Sequence, residues 1–168
     1  MITGTASIPL KYCLSSLKDG THGSFERVPD GVPLLSAKNV FQGKLRISDA
    51  ESMISEADFH SINKNGYLKY GDILMTIVGS IGNVAVFDTK DRVAFQRSVA
   101  VLRPNERIYA RFLYYLLQSP EVQEQLRLSV KLSAQGGVYL EDLGNIRVNI
   151  PDVAHQSVLV AALDKELA

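Results

Sequence analysis

Residues 71–87 have the sequence GDILMTIVGSIGNVAVF. Gly71-Asp72 is typical of a turn, and the apolar run at 73–78 predicts a strand that is buried on both faces. A second turn is expected at 79–82, and the apolar residues at 83–87 predict a returning strand. This part of the chain therefore predicts the centre of a β-sheet.

Other apolar runs predict further strands. Residues 93–102 predict a long third strand, which would complete a meander with the first two. Short strands are expected at 33–37, 44–47 and 146–150, whereas three glycines and a proline in 18–31 indicate an extended loop. The strands together predict a twisted, mostly antiparallel sheet.

Helical patterns lie mainly after the strands. Residues 109–118 carry a wide apolar face at helical spacing, and Ser119-Pro120 is a typical start for the next helix. Residues 48–59 are acidic and compatible with a helix, with Ser48 and Glu51 spaced as a capping box. The predicted fold class is α+β, with the sheet packed against the helices near 108–130.

The end of the chain predicts a helix of a different kind. Asp152 can cap it, and five positions recur at alternating spacings of three and four, the pattern of a coiled-coil seam with one polar member. These positions are Val153, Gln156, Val160, Leu163 and Leu167. The pattern fits a helix that pairs with a partner or with a second copy of the chain, and it fits equally an amphipathic helix packed on its own domain.

Composition and charge limit the class of protein. With 168 residues, 46% hydrophobic and 21% charged, the chain fits one globular domain. The 18 basic and 18 acidic residues cancel, which counts against a strongly basic nucleic-acid binder. The charges are uneven, because residues 121–168 hold seven acids and four bases. A modest basic face is therefore expected within residues 1–120.

The sequence favours a cytoplasmic protein. Cys13 is the single cysteine and cannot form an internal disulfide, which suits a reducing compartment. Residues 1–5 do not resemble a signal peptide, and no apolar run approaches the roughly 20 residues needed to span a bilayer. We expect no membrane association.

Residues for catalysis are scarce. His22, His60 and His155 are scattered and no Cys-x-x-Cys occurs, so we expect no metal, and no phosphate-binding or dinucleotide motif indicates a cofactor. Ser80 and Asp72 could join His22 in a hydrolytic triad, but no spacing supports that arrangement.

Several polar residues interrupt apolar or glycine-rich segments instead. Gln96-Arg97-Ser98 breaks a predicted strand, which indicates either a bulge or contact with a polar ligand. Arginine and glutamine have the donor geometry to read guanine and adenine edges. Gln135 precedes two glycines that would let the backbone approach a ligand, although a solvated loop fits as well. His22 is either a solvated loop residue or a ligand contact.

Nine short segments occur in one order along nearly the whole chain. They are 19–22 (DGTH), 31–35 (GVPLL), 38–40 (KNV) followed by Gly43, 71–74 (GDIL), 79–83 (GSIGN), 96–104 (QRSVAVLRP), 112–119 (FLYYLLQS), 135–137 (QGG) and 146–151 (IRVNIP) followed by Gln156. This order resembles the target-recognition domain of type I restriction-modification specificity subunits. One departure is that Asp152 and His155 stand where the family usually has a second proline and an acidic residue.

The resemblance implies a DNA-binding protein without catalytic activity of its own. Such a domain grips one half of a split double-stranded DNA target, and its long helix sets the distance to the other half. Methyltransferase (modification) subunits, which bind S-adenosylmethionine, and an ATP-driven restriction subunit would be its partners. The resemblance also implies a recognition domain over 1–151 and the start of a spacer or dimerisation helix over 152–168.

We expect the DNA contacts to come from loops and strand ends. The candidates are Lys18, His22, Ser24, Lys38, Asn39, Gln96, Arg97, Lys131 and Gln135. Gln96 and Arg97 are the first candidates for reading bases. Lys18, Lys38 and Lys131 are candidates for contacting phosphates.

Three other functions remain open at this point. The near-zero charge and the terminal helix fit a protein-interaction module that does not bind DNA. A small hydrolase would need a pocket that joins His22 to a serine and an acid. The recognition half of a restriction enzyme of another type would have the same sequence features.

Overall fold

The computed structural model describes residues 7–133 and 136–167, apart from the side chains of Lys131 and Leu132. Its eleven strands are β1 (Ile8–Pro9), β2 (Leu14–Asp19), β3 (Val32–Leu35), β4 (Val40–Phe41), β5 (Lys44–Leu45), β6 (Met53–Ile54), β7 (Ile73–Thr76), β8 (Val84–Val86), β9 (Ala94–Phe95), β10 (Val99–Pro104) and β11 (Arg147–Val148). Its α-helices are α1 (Glu56–Ile62), α2 (Ala110–Leu117), α3 (Pro120–Leu132), α4 (Leu140–Asn145) and α5 (Val153–Glu166). Short 3-10 turns cover Leu10–Cys13, Ala37–Asn39 and Lys64–Gly66.

The central element is an antiparallel sheet of four strands in the order β2-β10-β7-β8. The strands predicted from residues 71–87 are β7 and β8, which pair antiparallel as expected. The predicted meander is wrong. Strand β10 pairs with the edge of β7 that faces away from β8, so β8 and β10 are not neighbours in the sheet.

The reason is that residues 93–102 form two strands. The chain turns at 97–98, and β9 leaves the central sheet to pair in parallel with β3. The polar residues Gln96-Arg97-Ser98 mark this change of sheet. Both β9 and the first four residues of β10 are buried, so the hydrophobic pattern is continuous although the strand is not.

The central sheet is buried on both faces, as the apolar run predicts. Successive side chains of a strand point to opposite faces. Ile73 and Met75 therefore pack into one hydrophobic core with α2 and α3, while Leu74 packs into a second core with Phe95 and Val101. The sheet separates the two cores.

The predicted helices agree with the structure in the second half of the chain. Helix α2 occupies most of 109–118, and Ser119 caps α3 by accepting a hydrogen bond from the Val122 amide at 3.4 Å. Helix α4 was not expected from the sequence. The α+β fold class, with mainly antiparallel pairing and helices packed on the sheet, is confirmed.

The helix predicted at 48–59 begins later than expected. Ser55 is the cap of α1, and its hydroxyl oxygen accepts a hydrogen bond from the Asp58 amide at 3.1 Å. Ser48 does donate to the Glu51 carboxylate at 3.1 Å, but this contact lies outside any helix. Strand β6 explains the difference, because pairing Ile54 with Val32 of β3 buries Ile54 completely.

The terminal helix α5 packs on its own domain. Asp152 caps it by accepting from the His155 amide at 2.8 Å. The polar seam member, Gln156, is fully buried; its side-chain oxygen accepts from the Tyr109 amide at 2.9 Å, and its nitrogen donates to the carbonyls of Arg107 and Pro151. Four seam positions are thus at least partly buried by the domain, whereas Leu167 is exposed. Pairing with a partner helix through this seam stays a prediction.

Within the described ranges, no helix has both the length and the apolar character required to cross a membrane.

Candidate nucleic-acid interface

Several strand ends meet at one end of the central sheet. Strands β2 and β7 finish there and β10 begins there, since Asp19 and Thr76 lie opposite Ala100 and Val99. The segments beyond these ends enclose a cleft of about 450 Å³. It is lined by Asp19, His22, Ile77, Val78, Arg97, Ser133 and residues 137–140, and we call it the strand-end cleft.

One wall of the cleft is made by two segments held against each other. The Thr21 amide donates to the Phe95 carbonyl at 2.7 Å, and the Arg97 amide donates to the Thr21 carbonyl at 3.1 Å. Gly20 permits this approach, because a Cβ atom there would lie 2.1 Å from the Gln96 carbonyl oxygen. Close packing therefore requires glycine at position 20. The same packing brings His22 and Arg97 into one cleft.

The opposite wall is attached to the end of β7. The Val138 amide donates to the Ile77 carbonyl at 2.9 Å, and Val78 forms an antiparallel bridge with Gly137. Tyr139 follows as the residue that precedes α4. The cleft thus combines residues from four distant parts of the sequence.

Arg97 is an exposed arginine with unused donors. Seven of the nine arginines donate a side-chain hydrogen bond to another residue. Across residues 7–133 and 136–167, Arg97 and Arg107 have no such bond. Of these two, Arg97 lines the strand-end cleft, so its planar set of donors is free to bind a ligand.

His22 is oriented by a neighbouring carboxylate. Its Nε2 atom lies 2.6 Å from Oδ2 of Asp19, and 61% of its side chain is exposed. With Nε2 engaged by Asp19, the ring presents Nδ1 as the remaining polar atom. Asp19 therefore fixes the edge that His22 can offer to a ligand.

The other sequence candidates have different positions. Lys18 is exposed on β2, immediately before Asp19, and Ser24 is exposed in the loop beyond His22 without lining the cleft. Gln96 is half-buried, and its amide donates to the Leu35 carbonyl at 2.8 Å. Lys38 pairs with Glu51 at 3.0 Å, and its hydrogen bond lowers the pKa of the Glu51 carboxyl.

Asn39 is not available as a DNA contact in this structure. It is buried, its side-chain oxygen accepts from the Ser36 amide at 3.0 Å, and its nitrogen donates to the Arg46 carbonyl and to Glu51, each at 2.9 Å. These bonds hold the turn after β3 together. The sequence expectation for Asn39 is corrected to a structural role.

Two candidates cannot be placed. Gln135 lies outside the described residues. Lys131 belongs to α3, but its side chain also lies outside what the structure describes.

Of the residues that line the cleft, only His22 and Arg97 were predicted from the sequence as DNA contacts, whereas Asp19, Val78 and Tyr139 were not. Asp19 precedes His22 by three positions, a spacing that could have indicated the pair. Val78 and Tyr139 carried no separate signal, because their place in the cleft depends on pairing between segments far apart in sequence. Val78 and Tyr139 each lie close to a segment that had been singled out, the turn at 79–82 and the glycines at 136–137.

The hydrolytic grouping of His22, Ser80 and Asp72, which no spacing in the sequence supported, does not form. Asp72 is buried at the opposite end of β7, where Arg103 binds both of its carboxylate oxygens, so it lies far from His22 along the strand. Ser133 does line the cleft with His22 and Asp19. Among described side chains, however, the hydrogen bond of His22 goes to Asp19 and not to a serine. The described residues also contain no group of three or more histidine, cysteine or acidic side chains suited to a metal.

Comparison with known sequences gives a consistent match. The family model for the type I restriction modification DNA specificity domain matches residues 32–167. The type I restriction enzyme EcoBI specificity subunit of Escherichia coli is 29% identical over 142 residues, which is 84% of this chain and 30% of that protein. The chain therefore spans about a third of the length of this relative.

Solved structures share the fold. A structure concerned with complex assembly and conformational transition of the type I R-M system covers 96% of this chain and 38% of its own, with a TM-score of 0.65 and 20% identity. The HsdS subunit from Thermoanaerobacter tengcongensis covers 95% and 36%, with a TM-score of 0.59 and 18% identity. The S subunit from M. genitalium covers 96% and 39%, with a TM-score of 0.58 and 20% identity.

Proposed function

The chain belongs to the family of type I restriction-modification DNA specificity domains, and from that premise we propose that it recognises one half of a split double-stranded DNA target through the strand-end cleft. Sequence recognition requires side chains that reach base edges, whereas phosphate contacts supply affinity and orientation. The cleft contains side chains suited to the first task, and Lys18, which precedes Asp19 in β2, is suited to the second.

The unused guanidinium of Arg97 is the observation that carries this proposal. An exposed arginine can bond both O6 and N7 of guanine in the major groove, the commonest specific contact between protein and DNA. The backbone beneath Arg97 is fixed by its bond to Thr21, so the side chain starts from a rigid position. His22, oriented by Asp19, offers a second polar group in the same cleft.

Affinity must come from local charge, because the net charge of the chain is zero. Lys18 is exposed beside the cleft, and it is our first candidate for a phosphate contact. Lys38 is the second, although its ammonium group is already paired with Glu51. Ser24 and Gln96 stay candidates for contact with DNA.

The catalytic steps would belong to partners. In this proposal methyltransferase subunits methylate the DNA, a restriction subunit cleaves it, and the chain directs both to the target. Helix α5 would connect the domain to the second half-site. Its exposed apolar residues, Val158 and Leu159, are available for a second copy of the chain or for another helix.

The proposal is tested by methylation of a random-sequence DNA library by the cognate methyltransferase subunits, with this chain present or absent. A discrete methylated motif that requires the chain is the expected result. Methylation of the same sequences without the chain, or failure to obtain a motif from a stable complex, would overturn the proposal.

A symmetric motif would also indicate that two copies of the chain act together. Two equal half-sites in inverted orientation follow from a two-fold symmetric dimer. An asymmetric motif would instead indicate a single copy beside a different recognition domain.

A further inference from the structure

The strand-end cleft has an apolar side as well as a polar one. Val78 and Tyr139 both line it, and they remain 37% and 46% exposed. Ile77 lies beneath them and is almost completely buried. These two exposed hydrophobic side chains share the cleft with Arg97 and His22, and an apolar lining with a few polar groups is typical of a ligand-binding cleft.

The backbone holds Val78 in this exposed position. Its bridge to Gly137, together with the Val138-to-Ile77 hydrogen bond, fixes the segment that carries it. Gly137 also leaves one side of Val78 uncovered, because a Cβ atom at residue 137 would lie 3.1 Å from Cγ2 of Val78. The methyl groups of Val78 are therefore presented on a rigid support.

Resting on the proposed DNA-binding function, we propose that Val78, with Tyr139 in the same cleft, receives the C5-methyl group of a thymine next to the base that Arg97 contacts. Thymine is the one base with an apolar group on its major-groove edge. A methyl group fits beside an exposed valine without requiring a hydrogen bond. The cleft would then specify two neighbouring base pairs, one by polar contacts and one by an apolar contact.

The test uses the complex of the chain with its methyltransferase subunits and the DNA motif obtained as above. Each thymine of the half-site is replaced singly by uracil, which removes the methyl group and leaves every hydrogen-bonding group in place. Binding of each duplex is measured for the unaltered chain, for Val78→Thr and for Val86→Thr. Threonine keeps the shape of valine and replaces one methyl group by a hydroxyl. Val86 is the matched control, because it is a partly buried valine that pairs with Ile73 at the other end of the central sheet and does not line the cleft.

The expected result is one thymine position at which uracil weakens binding about fourfold, the factor for burying one methyl-sized group. Val78→Thr should weaken binding to the thymine duplex by a similar factor and should remove the sensitivity to uracil. Val86→Thr should change neither. Thermal unfolding of the variants shows whether the fold is retained, and Val78→Ala provides a second substitution if threonine perturbs it.

Three results would overturn the inference. They are equal binding of thymine and uracil at every position, a half-site without thymine, and sensitivity to uracil that persists in Val78→Thr. In each case a discrete motif would still support the proposed function. The absence of any sequence-dependent binding would instead overturn both proposals.

Discussion

The two ends of strand β10 carry arginines that differ in their surroundings. Arg103, at one end, donates to both oxygens of the buried Asp72 at 2.8 and 2.7 Å and to the carbonyls of Gly66 and Tyr67. Arg97, before the other end, is exposed and has no side-chain hydrogen bond within the described ranges. The first end is closed by internal bonds and the second is open to a ligand.

This difference separates folding from recognition. A buried carboxylate without its partner is costly, so the closed end should govern stability. Exposed groups contribute little to stability, so the open end can change with the target sequence while the fold is kept. Substitutions at the two ends should therefore affect different measurements.

Arg103→Ala should have the largest effect on folding. It leaves the carboxylate of Asp72 buried with the backbone amide of Lys69 as its remaining partner, and we expect a loss of about 3 kcal/mol in the free energy of unfolding. Urea unfolding followed by circular dichroism measures this loss. A loss below about 1 kcal/mol would show that the ion pair does not stabilise the closed end.

Gln156→Ala should have the next largest effect on folding. The substitution leaves the Tyr109 amide and two backbone carbonyls without their partner in a buried position, so we expect a loss of about 2 kcal/mol. Gln118→Ala is the matched control, because Gln118 is exposed, and it should change the free energy of unfolding by less than about 0.5 kcal/mol. Equal effects of the two variants would contradict a buried anchoring role for Gln156.

Lys18→Gln should have a smaller effect, on DNA binding alone. If Lys18 contacts a phosphate, the substitution weakens binding to all sequences and reduces the slope of log affinity against log salt by about 1. Lys38→Gln should reduce the slope less, because the Lys38 ammonium is already paired with Glu51. DNA-binding titrations at several salt concentrations compare the two variants. An equal reduction of the slope in both would contradict the expectation that the ion pair with Glu51 limits the contribution of Lys38.

Asp164→Asn should have the smallest effect, and that effect should depend on pH. Hydrogen bonds from Tyr115 and then Arg111 lower the pKa of Asp164, so its stabilising contribution is present above the unfolded value of about 3.9 and is lost as the pH falls through the lower folded value. The melting temperature of Asp164→Asn should therefore lie below that of the unaltered chain at pH 7 and approach it as the pH falls through the lowered pKa of Asp164. Asp88→Asn makes the same change of charge at an exposed loop residue, and it should lower the melting temperature at pH 7 less than Asp164→Asn does.

Local patterns predicted part of this structure well. The apolar run at 73–78 indicated β7, and Asp152 indicated the start of α5, because both signals depend on neighbouring residues alone. Strand order was not predictable in the same way. The break between β9 and β10 follows from pairing with β3, a contact that no local pattern contains.

The candidate site shows the same limit. Arg97 and His22 were singled out by residue type, and the structure brings them together in one cleft. Val78 and Tyr139 were missed because a bridge between distant segments places them there. Asn39 was predicted as a DNA contact because it is a polar loop residue. Its side-chain amide instead makes hydrogen bonds within the turn that it stabilises.

The most direct test of the account compares Arg97→Ala with Arg107→Ala. Arg107 is the other arginine with no side-chain hydrogen bond in the described part of the chain, and it lies outside the strand-end cleft. The methylated motif is determined for each variant in complex with the methyltransferase subunits. We predict that Arg97→Ala weakens cognate binding by about 1–3 kcal/mol and relaxes one base position, whereas Arg107→Ala preserves the motif. An unchanged motif in Arg97→Ala would contradict the claim that the chain reads DNA through this cleft.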